Sequence, residues 1–310
     1  MSTFTQNKNQ HLMPNKEQTL SFSPLIIGTM RLGKWGVQMN STQLEQFIDA
    51  CLDLGLRDFD HADIYGDYTE EAAFGAVLQK RPELRSKMQL TTKCGIKMVT
   101  ANRPTHRIKS YDSGKAHILS SVENSLKALH TDYLDLFLLH RPDFLMHPQE
   151  VAEAFEQLKK EGKVRHFGVS NFTTSQLNML QQFTPLVSHQ MEISLSHLTP
   201  FKDGSLDQCL QLGIRPTAWS PYGGGTLLKD TENPILLRTQ QTARNLAKRY
   251  DATIDQIMLS FLMRHPSGIV PVLGTTKITR IQSALKACSI TLSREDWYEL
   301  WQASTGVEVP

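Results

Sequence analysis

The sequence predicts an α/β fold, a (β/α)₈ barrel formed by a single domain. From about residue 25 onward, eight short apolar segments alternate with amphipathic ones, which is typical of parallel strands buried on both faces. No G-x-G-x-x-G motif follows the first apolar segment, which weighs against a doubly wound dinucleotide-binding domain. No linker or repeat divides the 310 residues, so one barrel is favoured over two smaller domains.

The predicted strands are short and apolar, as the inner wall of a barrel requires. In chain order they are residues 25–28, 57–60, 88–93, 133–140, 166–170, 186–191, 215–220 and 268–274.

Between the strands, apolar residues recur at the helical spacing i, i+3, i+4 and i+7. The first set spans residues 44–51, with Thr42 and Glu45 as its predicted capping box and Gly55 as its left-handed stop. Thr173 with Gln176 opens a further predicted helix. The remaining predicted helices cover residues 118–129, 151–158, 206–212, 235–250, 253–264, 278–287 and 293–304, of which the last is an extra C-terminal helix outside the barrel.

Two segments fall outside this alternation. Residues 1–20 are polar and predict a loose, mobile leader ahead of a barrel over residues 21–310. Residues 94–116 form the longest stretch without a predicted element, and so long a loop is expected to form a wall of the active site. Its cationic residues favour anionic substrates; they are Arg103, His106, Arg107 and Lys109.

Composition and cysteine use restrict the functional class. A net charge of +2 argues against nucleic acid or an anionic membrane as partner, and no apolar run reaches the ~18 residues of a membrane span. The N-terminus lacks the apolar core of a secretory signal. Four widely spaced cysteines without a C-x-x-C pair indicate reduced thiols in a cytoplasmic protein and no metal site. The protein is expected to be a monomer or a weak homo-oligomer. Cys51 and Cys288 are expected on apolar helix faces.

Polar residues stand where a barrel holds its chemistry, at the carboxyl ends of strands. Asp60, Lys93 and His140 end three successive predicted strands, and Tyr65 follows on a loop. Because neighbouring strands lie ~5 Å apart, these side chains are expected to converge. Each alone is compatible with a structural role in capping or packing, although a lysine that ends a buried strand needs a partner.

The segment around these residues resembles a known family. Residues 55–66, GLRDFDHADIYG, closely resemble the aldo-keto reductase signature G-x-R-x-x-D-x-A-x-x-Y. Lys93 in LTTKCG, His140 in LFLLHRPD and residues 168–172, GVSNF, match the same family at the expected intervals. The likeness runs from about residue 25 to residue 287, nearly the whole barrel.

The resemblance implies NADPH-dependent reduction of an aldehyde or ketone, with Tyr65 as general acid. A free tyrosine is a poor acid at pH 7, and an adjacent ammonium lowers its pKa. Lys93 is expected to do this, with Asp60 keeping Lys93 charged and oriented. His140 is expected to hydrogen-bond the substrate carbonyl, whereas His61 is expected to be structural.

The resemblance also implies a site for NADPH or NADP⁺. In that site Ser170, Asn171 and Gln190 hold the carboxamide, and Trp219 stacks on the nicotinamide. A helix N-terminus with a nearby arginine favours an anion such as the 2′-phosphate. The other expected cofactor residues are Gly28, Thr29, Met30, Ser220, Pro221, Gly274, Thr275, Thr276, Lys277 and Arg280.

Two other functions remain open at this point. A barrel of this family can bind NADP(H) and act as a regulatory subunit through a protein partner. A different barrel enzyme, an isomerase or lyase, can bind a phosphorylated substrate near the last strands. The complete set of Asp60, Tyr65, Lys93 and His140 favours the enzyme that reduces a small-molecule carbonyl.

Overall fold

The structure is a computed structural model that describes residues 20–309. Eight parallel strands close into a barrel, and two more form a small hairpin. The predicted (β/α)₈ fold is therefore confirmed. The strands are β1 (Ile26–Gly28), β2 (Asp58–Asp60), β3 (Gln89–Cys94), β4 (Ile96–Lys97), β5 (Ser110–Tyr111), β6 (Leu134–Leu139), β7 (Val164–Ser170), β8 (Ser188–Glu192), β9 (Arg215–Trp219) and β10 (Val270–Leu273). Around the barrel their order is β1-β10-β9-β8-β7-β6-β3-β2.

The ends of each predicted strand lie within two residues of the ends of an observed strand. Apolar character on both faces makes a barrel strand easy to recognise in the sequence. All six residues of β6 are buried. The seam between β1 and β10 pairs Ile26 with Val272, and β1 pairs with β2 on its other side.

Helices surround the barrel and follow the strands in alternation. They are α1 (Ser41–Asp53), α2 (Tyr65–Tyr68), α3 (Glu70–Lys80), α4 (Lys115–Leu129), α5 (Pro148–Lys160), α6 (Thr174–Gln181), α7 (Ser205–Leu212), α8 (Pro234–Arg249), α9 (Ile254–Met263), α10 (Ile278–Lys286) and α11 (Arg294–Thr305).

Of the two predicted capping boxes, the one at α1 is wrong and the one at α6 is confirmed. The capping box of α1 is formed by Asn40 and Gln43, not by Thr42 and Glu45, because the helix begins at Ser41. Asn is as good an N-cap as Thr, and the apolar spacing alone does not fix the first turn. Thr173 and Gln176 form the expected capping box of α6.

Two segments between strands hold more structure than the sequence predicted. Helix α3 was not predicted, although Phe74, Val77 and Leu78 form its buried face at helical spacing. The stretch at residues 94–116 contains the antiparallel pair β4 and β5 and the start of α4. These strands are two residues each, too short for an alternating pattern to show.

The four cysteines are free thiols, and the predicted environment of one of them is wrong. Cys51 is buried on the inner face of α1 as expected, but Cys288 is exposed in the turn that follows α10. Helix α10 ends at Lys286, so Cys288 lies beyond the apolar helix face on which the sequence placed it, and that expectation is wrong.

Close packing of β7 on β8 requires a glycine. A Cβ at Gly168 would lie 2.4 Å from the Ser188 carbonyl oxygen and 2.7 Å from Leu138 Cδ2. This close approach positions the end of β7, which carries Ser170 and Asn171, against β8.

The predicted leader, residues 1–20, lies outside the described residues except for Leu20. Within residues 20–309, no helix combines the length and apolar character needed to cross a membrane. In the same range, no cluster of three or more His, Cys, Asp or Glu side chains is arranged to hold a metal ion.

Candidate active site

Strand register brings the four expected catalytic residues to one end of the barrel. Asp60 ends β2, Lys93 is the second-last residue of β3, and His140 follows β6 directly. β2 pairs with β3, and β3 with β6, so the three strands are neighbours. Their carboxyl ends therefore meet, as the sequence predicted.

Lys93 is fully buried and uses its three donors within this cluster. Its Nζ donates to Asp60 Oδ2 at 2.7 Å, to the His61 carbonyl oxygen at 2.7 Å and to the Tyr65 hydroxyl at 3.4 Å. Burial opposes the charge on the amine, but Asp60 and Tyr65 outweigh it and raise the pKa of Lys93. The side chain is therefore an ammonium held in one direction.

Asp60 receives a second hydrogen bond from across the barrel. Gln190 on β8 donates from Nε2 to Asp60 Oδ1 at 3.0 Å. Lys93 and Gln190 thus each donate to one carboxylate oxygen of Asp60. The carboxylate cannot rotate without breaking these two hydrogen bonds. Gln190 was expected only as a carboxamide ligand.

Tyr65 begins the four-residue turn α2, whose following residues lack right-handed helical backbone, so Tyr65 lies on a turn after β2. The chain reverses immediately afterwards, with left-handed backbone at Gly66, Asp67 and Tyr68. Asp67 accepts a hydrogen bond from Trp35 Nε1 at 3.1 Å, and the Trp35 ring lies 6.1 Å from that of Tyr65. This turn holds the phenol against an indole that the sequence did not single out.

Lys93 acts to lower the pKa of Tyr65, as expected, but its effect does not decide the direction of the shift. Burial raises the pKa of Tyr65 above its ordinary value, and the charge of Lys93 opposes this rise without overcoming it. The phenol is therefore protonated, and Lys93 is placed to stabilise the tyrosinate when the proton leaves.

His140 completes the cluster as a neutral imidazole. Its ring lies edge-on to Tyr65, with 6.1 Å between centroids. Burial, with a smaller effect of Lys93, lowers the pKa of His140 well below its usual value. Nδ1 of His140 is buried without a hydrogen-bond partner among the described residues.

His61 occupies a structural position, as expected. Its Nδ1 contacts the Thr29 hydroxyl at 3.1 Å and its ring packs edge-on against Phe74. Burial, followed by the charge of Lys93, lowers the pKa of His61 to about 3. Thr29 also donates to the Asp60 carbonyl oxygen at 3.1 Å, so its hydroxyl is engaged beneath the cluster.

The residues expected at the nicotinamide lie together at the ends of β7, β8 and β9. Asn171 donates from Nδ2 to Ser170 Oγ at 2.6 Å and accepts from Trp219 Nε1 at 3.0 Å. Asn171 and Ser220 both have left-handed backbone, with φ of 58° and 50°. These turns keep the amide and the indole at the strand ends.

The segment after β10 is open, as an anion site requires. Helix α10 begins without a side-chain cap, which leaves its first amides available. Lys277 and Arg280 are exposed there and form no ion pair with any residue of the described chain. A Cβ at Gly274 would meet no atom within 4 Å.

Arg141, like Trp35, was not predicted. Its guanidinium carbon lies 5.6 Å from the centroid of the Trp219 ring. The signal was its place directly after His140 at a strand end, but no spacing pattern distinguishes an inward arginine from a solvated one.

The closed barrel and the polar cluster at its carboxyl end define a (β/α)₈ barrel with an enzyme-like site. The model of the Aldo/keto reductase family matches residues 24–304, and the chain belongs to this family.

Similar proteins cover nearly the whole chain. The Bacillus subtilis protein named uncharacterized oxidoreductase YcsN is 43% identical over 297 residues, covering 94% of this chain and 98% of that protein. The Agrobacterium fabrum 6-dehydroglucose reductase is 38% identical over 292 residues, covering 94% and 97%. Among solved structures, an aldo/keto reductase from Klebsiella pneumoniae in complex with NADP and acetate superposes with a TM-score of 0.71 at 28% identity, covering 90% of both chains.

Proposed function

We propose that this protein is an NADPH-dependent reductase that converts aldehydes or ketones to alcohols, with Tyr65 as its proton donor. The main support is the line of contacts from Asp60 through Lys93 to the Tyr65 hydroxyl. The NADP complex of the Klebsiella pneumoniae neighbour supports the cofactor, and the Agrobacterium fabrum reductase supports a carbonyl substrate.

Tyr65 supplies the proton that the carbonyl oxygen takes as the alcohol forms. Burial disfavours the tyrosinate, so the phenol keeps its proton until the substrate oxygen develops negative charge. At that moment the ammonium of Lys93, 3.4 Å away, stabilises the tyrosinate. Asp60 and Gln190 keep Lys93 in place throughout.

His140 orients the carbonyl and does not compete for the proton. A neutral imidazole can donate one hydrogen bond to the substrate oxygen. Because burial lowers its pKa so far, His140 is not an acid at neutral pH, and proton transfer is left to Tyr65.

NADPH, when bound, supplies the hydride to the carbonyl carbon. Ser170, Asn171 and Gln190 offer polar groups for its carboxamide, and Trp219 offers an aromatic face. The uncapped start of α10 with Arg280 suits the 2′-phosphate. The remaining residues proposed to hold it are Gly28, Thr29, Met30, Ser220, Pro221, Gly274, Thr275, Thr276 and Lys277.

The test is aldehyde-dependent oxidation of NADPH by the purified protein, followed by absorbance. We expect turnover with a simple reactive aldehyde such as methyl 4-formylbenzoate. NADPH binding without turnover would favour a regulatory subunit, and no NADPH binding would favour an isomerase or lyase. Either result would contradict the proposal.

A further inference from the structure

Arg141 lies beside Trp219 at the carboxyl end of the barrel and leaves most of its hydrogen-bonding capacity unused. It follows His140 directly, and its guanidinium carbon lies 5.6 Å from the Trp219 ring. Its positive charge also opposes the rise in the pKa of Tyr65. Arg141 therefore adjoins the Trp219 indole and directly follows the histidine of the catalytic cluster.

This arginine is half-buried and has no ion-pair partner. No carboxylate in residues 20–309 lies within 4.0 Å of its nitrogens. Its one side-chain hydrogen bond in that range, from Nη1 to the His140 carbonyl oxygen, is long at 3.4 Å. A guanidinium has five N–H donors, so most of this fork is unoccupied.

The charge around Arg141 also favours an anion. Burial is the main cause that lowers the pKa of Arg141, and Tyr111, Tyr65 and Glu192 oppose it without overcoming it. The positive charge of Lys109, from the loop before β5, acts on His140 as well. Asp60 is paired with Lys93, and the charges that act on His140 are the positive ones of Lys93, Arg141 and Lys109.

One of the two loop arginines that the sequence suggested for this role is engaged elsewhere. The Arg103 guanidinium covers the Tyr68 ring, 4.3 Å from its centroid, and lines a separate cavity of about 220 Å³ beside α4 with Asp63 and Glu71.

We propose that Arg141 is an acid-binding subsite, so that this active site prefers carbonyl substrates that carry a carboxylate or a similar small anionic group. Its planar fork matches a carboxylate with two parallel hydrogen bonds. Because Arg141 adjoins His140, the anionic group lies a few bonds from the reacting carbonyl. The proposal names the substrate class of the reductase proposed above and rests on that function.

The test compares two matched aldehydes, 4-carboxybenzaldehyde and its neutral methyl ester, methyl 4-formylbenzoate. For Arg141→Gln we expect kcat/KM for the acid to fall about 10–100-fold, mainly through KM, because a charged hydrogen-bonded pair is lost. For the ester we expect a change of no more than about twofold. Arg141→Lys should recover part of the preference, since it restores the charge but not the fork.

The control is Arg294→Gln, which removes an exposed cation from the start of α11 and should leave both aldehydes unaffected. Arg107→Gln tests the loop directly. Equal losses for the two aldehydes in Arg141→Gln would overturn the proposal and indicate a structural role. Weaker NADPH binding in that variant would instead make Arg141 a cofactor contact. A selective loss in Arg107→Gln would place acid recognition on the loop.

A binding measurement separates this proposal from the reductase itself. Titration with benzoate, which cannot be reduced, is followed by tryptophan fluorescence, since Trp219 adjoins Arg141. We expect benzoate to bind the wild type at least about tenfold more tightly than Arg141→Gln. If neither aldehyde is reduced, the proposed reductase function is wrong, but benzoate binding still tests the role of Arg141. Equal benzoate affinity in the wild type and in Arg141→Gln would overturn the proposed subsite.

Discussion

Gln190 and Asp60, 130 positions apart in the chain, are joined by a 3.0 Å hydrogen bond across the barrel. This bond occupies the carboxylate oxygen that Lys93 does not use. The direction of the ammonium, and hence its distance from Tyr65, therefore depends on strands from both halves of the barrel.

Asp60→Asn should lower the free energy of unfolding by about 3–5 kcal/mol, because Lys93 would remain buried without a countercharge. Urea denaturation measures the loss. Glu153→Gln is the control, since it removes a carboxylate from the exposed pair with Lys115 and should cost at most about 1 kcal/mol. Similar losses in the two variants would contradict the importance of the buried pair.

Tyr65→Phe should lower turnover by about 10²–10⁴-fold and leave NADPH affinity nearly unchanged, because only the proton donor is removed. Single-turnover rates and NADPH titration measure the two effects. Tyr133→Phe makes the same chemical change just before β6, at the opposite end of the barrel, and should leave turnover intact. Wild-type turnover in Tyr65→Phe would remove Tyr65 from the mechanism.

The pH profile of carbonyl reduction should be flat through the neutral range. Burial holds the pKa of Tyr65 above 10.0, so the donor form is complete below that pH and is lost only as pH rises through the raised pKa. The pKa of His140 is well below 6.5, so His140 adds no titration near neutrality. Measured kcat/KM from about pH 5 to about pH 9 tests this; an inflection near 6.5 that disappears in His140→Asn would contradict it.

The buried histidines His61, His140 and His189 should each contribute a loss of stability on mild acidification, because burial resists their protonation. Burial lowers the pKa of His61 to about 3 and of His189 to about 4, from 6.5. Below 6.5 the unfolded chain binds more protons than the folded one, so unfolding becomes easier by up to about 1.4 kcal/mol per pH unit for each histidine.

Denaturation at several pH values measures this dependence. His189→Asn should make the slope shallower, while His147→Asn, at an exposed position, should not change it. An unchanged slope in His189→Asn would show that His189 is not the source.

Arg280→Met should weaken NADPH about tenfold and NADH much less, because only NADPH carries the 2′-phosphate that a charged hydrogen bond would hold. Fluorescence titration with both cofactors gives the ratio. Lys286→Met removes a cation from the last turn of the same helix and should affect neither. Equal losses for NADPH and NADH in Arg280→Met would exclude this role.

The positions of Asp60, Lys93 and His140 could be predicted because each ends a strand, and chain order fixes which strands adjoin in this part of a barrel. The contacts of Gln190, Trp35 and Arg141 could not. They depend on rotamers across the barrel axis and on the path of loops, for which the sequence carries no periodic pattern. The direction of the pKa shift of Tyr65 could not be predicted either, because burial decides it.

The complete burial of Lys93 also makes it a reporter of barrel opening. An amine-reactive reagent reaches surface lysines in the native protein, but Lys93 has no exposed area. Labelling at this position requires β2, β3 and α2 to separate, so its rate follows the opening of the barrel itself and not the fraying of its surface.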